Sequence, residues 1–313
     1  MLGKTAGGLY WMFRGLERAE HTARLIDAGF RIALTRSTDP ASDWRSVIAT
    51  SAQQAAFEAK YDAYTSRTVS NFLLRDLDNP SSVLSVIKAA RDNARMVRTA
   101  LTSEVWVAVN ETWMVLTEML KDSLTEAELP LILDTIRQQS GLVRGALYGT
   151  MLRNDVYNFC RLGTFIERAD STARLIDVKY HALLPSHASV GSRLDNVQWE
   201  MILRSVSAHR SFRHAVEDDF NAANIAEFLI LDERFPRSLA FCAQRINENL
   251  TLLHKAYGDD SACLTAAQAF QARIDGNTIS DIFEQGLHEY VSQSIIDLAA
   301  IGMQIEQQYR FWR

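Results

Sequence analysis

The chain has 313 residues, 47% of them hydrophobic, and a formal net charge of −5. Charges of both signs are interspersed, so the basic footprint of a nucleic-acid binder is missing, and no apolar run reaches the roughly 18 to 20 residues of a membrane span. Five prolines and 14 glycines are few for this length, and with abundant Ala, Leu, Arg and Glu they predict an all-α protein.

In chain order, the first helix is expected to start between Lys4 and Gly8 and to run to about Arg36, with Gly7 and Gly8 weakening its first turns. Its apolar residues Leu9, Met12, Leu16, Ala19, Ala23, Ile26, Phe30 and Ala33 step by three and four, which is the seam of an amphipathic helix. Thr38, Asp39 and Pro40 break it, and Ser42 or Asp43 caps a second helix containing Trp44 through Tyr61. A short helix over Thr68 to Arg75 ends at Asp76 to Asn79, and Pro80 opens the next, running to about Leu101. Thr102 or Ser103 caps Glu104 to Lys121, and Thr125 with Glu128 forms a capping box for a helix reaching about Tyr148.

The tract Leu16 to Asp27, LERAEHTARLID, then recurs 150 residues later as Ile166 to Asp177, IERADSTARLID, with nine of 12 positions identical. The second seam repeats the spacing with Phe159, Leu162, Ile166, Ala169, Ala173, Ile176, Tyr180 and Leu183. Pro185, Ser186, Ser189 and Gly191 make Leu184 to Gly191 the most linker-like stretch. Trp199 answers Trp44, and Phe228-Leu229-Ile230 with Pro236 and Ser238 answers Phe72-Leu73-Leu74 with Pro80 and Ser82. Breaks at Gly258 to Ser261 and Asp275 to Asn277 precede a final helix over Thr278 to Trp312. The expectation is one domain, 1–313: an internally duplicated helical bundle of about 10–12 helices whose pseudo-symmetric halves, about 1–149 and 150–313, share a core.

At about 100° per residue, Arg18 and Arg168 lie roughly 120° from the apolar stripe, each beside an acid. An arginine removed from water requires a bidentate carboxylate, so Glu17 is expected to meet Arg168 and Glu167 to meet Arg18. The set Glu17, Arg18, Arg24, Asp27, Glu167, Arg168, Arg174 and Asp177 reads either as inter-helical ion pairs that fix register or as a site gripping a phosphate, a carboxylate or an amino-acid backbone. Direct catalysis by the cluster is a third reading.

Other chemistry is thin. Glu17 with His21 and Glu284 with His288 have a chelating spacing, but no Glu-x-x-His occurs and Ser171 replaces His21 in the second copy, so no metal and no cofactor are expected. Cys160, Cys242 and Cys263 are isolated, odd in number and set in apolar segments, which argues against disulfides or structural zinc and for the cytoplasm. Charged Arg14, Glu17 and Arg18 follow Lys4 before a signal-peptide core could form. Nucleophile elbows and phosphate loops are missing. Asn110, Tyr157 and Asn158 are weaker candidates, the tryptophans read as core or interface anchors, and the terminal Tyr309 to Arg313 reads as a docking tail or a segment folded back on the body.

The tract Leu9 to Asp27, LYWMFRGLERAEHTARLID, with its second copy, resembles the Alpha-E family (domain of unknown function 403), an α-helical domain named for a recurring Glu-Arg pair, and the resemblance extends over essentially the whole chain. The pair carries over onto Glu17-Arg18 and Glu167-Arg168. Such proteins are encoded beside, or fused to, circularly permuted ATP-grasp proteins, often with transglutaminase-like peptidases and sometimes a proteasome-like hydrolase. The resemblance implies a system that forms and cleaves amide bonds on peptides. The expectation is a non-catalytic accessory, scaffold or substrate-recognition partner of an ATP-grasp-type peptide ligase. The alternatives are an enzyme of the same peptide-modification pathway, whose acid/Arg cluster binds a carboxylate- or phosphate-bearing substrate, and a purely structural module. Whether the chain is an enzyme stays open at this point.

Overall fold

Long three-and-four spaced apolar stripes become the two central helices, α1 (Gly3–Thr35) and α8 (Asp155–Ala182). The computed structural model describes residues 1–35, 40–182, 193–216, 220–258 and 261–312. The expected breaks at Thr38–Asp39 and Leu184–Gly191 lie outside the described residues. Between the central helices run α2 (Pro40–Thr50), α3 (Gln54–Glu58), α4 (Ser66–Ser70) with a π-helical turn over Asn71–Arg75, α5 (Val83–Met96), α6 (Ser103–Met119) and α7 (Leu129–Thr150). After α8 come α9 (Arg193–Ser205), α10 (His209–Ala215), α11 (Ala222–Ile230), α12 (Leu239–Tyr257), α13 (Ala262–Asp275), α14 (Ile279–Gln285) and α15 (Leu287–Gln308). No strand occurs among the described residues.

Helix α1 lies against α8 and is flanked by α5, α7, α2 and α9, whereas α12 and α15 cover α8. Leu9, Met12, Leu16, Ala19, Ala23 and Ile26 are buried, as are Phe159, Leu162, Ile166, Ala169, Ala173 and Ile176. Burial of two such stripes supplies the main driving force for the bundle. The backbones of α1 and α8 come close at Gly163, where a Cβ would stand 2.2 Å from the carbonyl oxygen of Tyr10.

Several boundaries differ from the sequence expectation, and local geometry explains them. The helix expected over Trp44 to Tyr61 is split, because Ala52 (φ 55°) adopts the left-handed conformation and the Gln53 amide donates back to the Ile48 carbonyl, closing α2 as a Schellman turn. Ser207 (φ 56°) closes α9 in the same way, its neighbour Ala208 donating to Leu203. Pro80 does not open α5. Ser82 does, its hydroxyl accepting from the Ser85 amide, as Ser238 accepts from Phe241 ahead of α12. Ser42 and Asp43 fall inside the first turn of α2, which starts at Pro40. The expected last helix divides at Gly286, whose φ of 98° suits glycine. These extra breaks raise the number of α-helices to fifteen among the described residues, against the 10–12 expected.

The terminal aromatics pack back on the body. Phe311 packs tilted against Tyr10 and edge-on against Phe159, and Tyr309 packs edge-on against Phe159 and Tyr257, while Trp312 stays exposed. Gly7 is where Phe311 seats, and Gly8 lets Val97 and Met96 approach, so these glycines serve packing rather than merely loosening a helix start.

Replacing Gly163 by Ala should lower stability to denaturant by about 1–3 kcal/mol, since the Tyr10 backbone cannot retreat within a packed helix. An unchanged unfolding midpoint would mean that α1 and α8 do not cross at this point.

Candidate functional site

The repeated Glu-Arg pairs meet across the α1–α8 crossing. Arg168 on α8 donates from Nε and Nη2 to Oε1 and Oε2 of Glu17, both at 2.9 Å. Reciprocally, Arg18 on α1 donates to both oxygens of Glu167, at 2.5 and 3.0 Å. Glu17, Glu167 and Arg168 are buried, and a carboxylate or guanidinium in that position requires such fork-to-fork pairing. Cross-pairing arises because each acid precedes its arginine by one residue, about 100° around the helix, so partners lie on the opposing helix.

The seam recruits further residues. Glu20, fully buried, accepts from Arg24 one turn on, from Arg144 on α7 and from Arg237 just ahead of α12. Arg237 also donates to Glu17 at 2.7 Å, and Arg14 donates to Glu167 at 2.8 Å. Six guanidiniums thus surround three carboxylates. Burial alone would raise the acids' pKa values, but Arg168 and Arg237 hold Glu17 well below the usual range, and Arg14 and Arg18 hold Glu167 at about 2. Of these residues, Glu20 and Arg24 carried a signal in the sequence, since Asp170 and Arg174 repeat them. Arg14 and Arg237 have Thr164 and Ser81 at the corresponding places, and Arg144 sits on a helix of ordinary amphipathic pattern.

The remaining candidates lie around the seam rather than inside it. Asp27 accepts from Arg31 and Arg137, Arg174 donates to Asp170 at 2.8 Å, and Asp177 pairs with His288 Nδ1 at 2.5 Å. Arg24 and Asp27 face an open cavity of about 570 Å³ bordered by Arg31, Arg137, Arg204 and Arg210. Asn110 accepts from Arg91, Tyr157 lies under Arg153, and Asn158 is buried. Trp44 and Trp199 are core residues, and Trp106 and Trp113 lie beneath Arg98 and Arg91. The three cysteines are free and buried, and burial raises each thiol, that of Cys242 to about 12. No group of three or more His, Cys, Asp or Glu among the described residues converges as metal ligands.

The two sides of the crossing are unequal. Around Glu17 and Glu20, the Arg237 side chain fills the space between the acids. Around Glu167 and Asp170, the corresponding place in Pro80-Ser81-Ser82 is a serine, and a cavity of about 220 Å³ opens there. Arg18, His21, Ser81, Glu167, Asp170 and Arg174 line it, with the strained Ala52 turn at its rim. Burial and the nearby Arg237 push the His21 imidazole down to about 4, so it is neutral at physiological pH.

A double-mutant cycle over Glu17→Gln and Arg168→Met should give a coupling above about 1 kcal/mol, and Glu17→Ala alone should cost about 3–5 kcal/mol, because it strands buried guanidiniums. Additive effects would contradict the pairing. The pH dependence has a defined sign. Glu167 has its folded pKa lowered from 4.5 to about 2, so its contribution is present above pH 4.5 and disappears as pH falls towards 2. Acid titration of stability should therefore lose about 3 kcal/mol from this group in that window, and Glu167→Gln should flatten the profile there.

Comparison with curated proteins and with solved structures gives no match. The family model described as "a predicted alpha-helical domain with a conserved ER motif" matches residues 1–310. This chain belongs to the Alpha-E family.

Proposed function

We propose that the chain is a cytoplasmic accessory protein of an ATP-grasp-type peptide ligase system, one that docks the ligase and presents substrate to it while the ligase supplies nucleotide chemistry. The observation that carries this reading is the mutual satisfaction of the Glu-Arg pairs. Both carboxylates are buried with each oxygen on a guanidinium of the opposing helix, and Arg168 is buried with them, which is how a motif that fixes helix register behaves.

A docking face is available on the outer side of α7. Leu131 and Leu142 are exposed there, and Gly141, Gly145 and Gly149 share the helix with nothing within 4 Å of where a Cβ would stand. Each helical glycine costs about 1 kcal/mol relative to Ala, a cost offset when another helix lies close against that face. The neighbouring α6 adds exposed Val107 and Met114. A transglutaminase-like peptidase is a further candidate partner in the same system.

A second reading draws on the cavity beside Arg18 and His21: an enzyme of the same pathway whose acid and arginine groups bind a carboxylate- or phosphate-bearing substrate.

Co-purification with a circularly permuted ATP-grasp protein from the same source tests the first reading. The untagged ligase should be retained by the tagged chain in gentle salt, and Gly145→Leu should reduce retention about tenfold or more while leaving the unfolding midpoint equal or higher. Absence of any retained ligase would overturn the reading, and retention indifferent to Gly145→Leu would remove α7 from the interface.

A further inference from the structure

The cavity next to Glu167 holds polar groups that the fold leaves open. Arg18 uses Nε and Nη2 on Glu167, and Arg174 uses Nε on Asp170. The Nη1 group of Arg18 and both terminal nitrogens of Arg174 have no partner among the described residues. Nor do Asp170 Oδ1, the His21 ring or the hydroxyls of Thr22, Ser81 and Ser171, although Thr22 and Ser171 are buried. These atoms are open to the cavity rather than sealed in the interior, so this wall offers hydrogen bonds to an occupant with several polar atoms.

The enclosing geometry agrees. Ala52, at φ 55°, is a non-glycine residue held in left-handed backbone at the rim, and such strain costs about 1 kcal/mol or more. The volume of about 220 Å³ is below the roughly 300–1,000 Å³ of drug-sized sites and equals the space of about seven waters. The chain closes the equivalent space on the other side with Arg237 and leaves this one open.

We infer that this cavity binds a free α-amino acid as its zwitterion, with the carboxylate on Arg18 and Arg174 and the ammonium on Asp170 Oδ1. The inference rests on the recognition reading above and names its substrate class. A planar carboxylate matches the forks of two guanidiniums. A phosphate dianion would also have to lie against Glu167 and Asp170, whereas an ammonium is welcome there. The neutral His21 ring offers a lone pair to the same ammonium. Leu25 and Leu73 supply the apolar part of the lining.

Calorimetric titration of the purified chain tests this, using each free amino acid, its N-acetyl methylamide and inorganic phosphate. At least one amino acid should bind, with its uncharged methylamide and phosphate each weaker by roughly tenfold or more, and Arg174→Gln should weaken that binding by a similar factor. Ser81→Arg, which places an arginine where Arg237 stands on the other side, should abolish binding in a protein that still unfolds cooperatively. Should that variant fail to fold, Arg174→Gln decides, since Arg174 is partly exposed and pairs with Asp170 alone among the described acids. No binding by any amino acid at millimolar concentration, binding indifferent to Arg174→Gln, or phosphate binding more tightly than every amino acid would each overturn the inference. The titrations need no ligase, so a failed co-purification leaves the site standing and a failed titration leaves the docking reading standing.

Discussion

Removing Glu17 and Glu167 from water at the crossing of two helices is the constraint on which the rest of this structure depends. An uncompensated carboxylate in that position would cost several kcal/mol, so the crossing is tolerable only in the register that places Arg168 against Glu17 and Arg18 against Glu167. Apolar stripes specify that α1 and α8 pack together. The ion pairs specify how far each slides along the other, because a shift of one turn, about 5.4 Å, would separate every fork from its acid.

That arrangement also explains why arginine gathers at the crossing. Glu20 lies one turn from Glu17 on the same buried face, and two acids so close repel unless cations stand between them. Arg237 bridges both, and Arg24 and Arg144 complete the shell of Glu20. On the opposite side Asp170 is shorter than Glu20 and less buried, and Arg174 from its own helix engages one of its two oxygens. The difference of one methylene, together with Ser81 in place of an arginine, leaves a cavity on one side and a filled core on the other.

The periphery follows from the same economy of close contacts. Glycines appear where backbone must approach backbone or an aromatic ring, as at Gly163 beneath Tyr10 and Gly7 beneath Phe311. The C-terminal segment is thereby drawn onto the N-terminal helix, and both ends of the chain are tied to the central pair.

Much of this was legible in the residues alone. Amphipathic periodicity identified the helical class and the two central seams, and the repeat of Glu-Arg together with the cost of burying an arginine identified the reciprocal pairing, since both are properties of one helix and its immediate chemistry. Helix ends at Ala52, Ser207 and Gly286 were not legible, because left-handed backbone at alanine or serine is imposed by surrounding packing. Neither were Arg14, Arg144 and Arg237, nor the cavity beside Ser81. Those side chains join the seam from three separate stretches of chain, and no local pattern records which distant arginine reaches a buried acid. What the linear order of residues determined was therefore each helix and its demand for a partner, and what tertiary structure alone decided was which groups meet that demand and where a space remains unfilled.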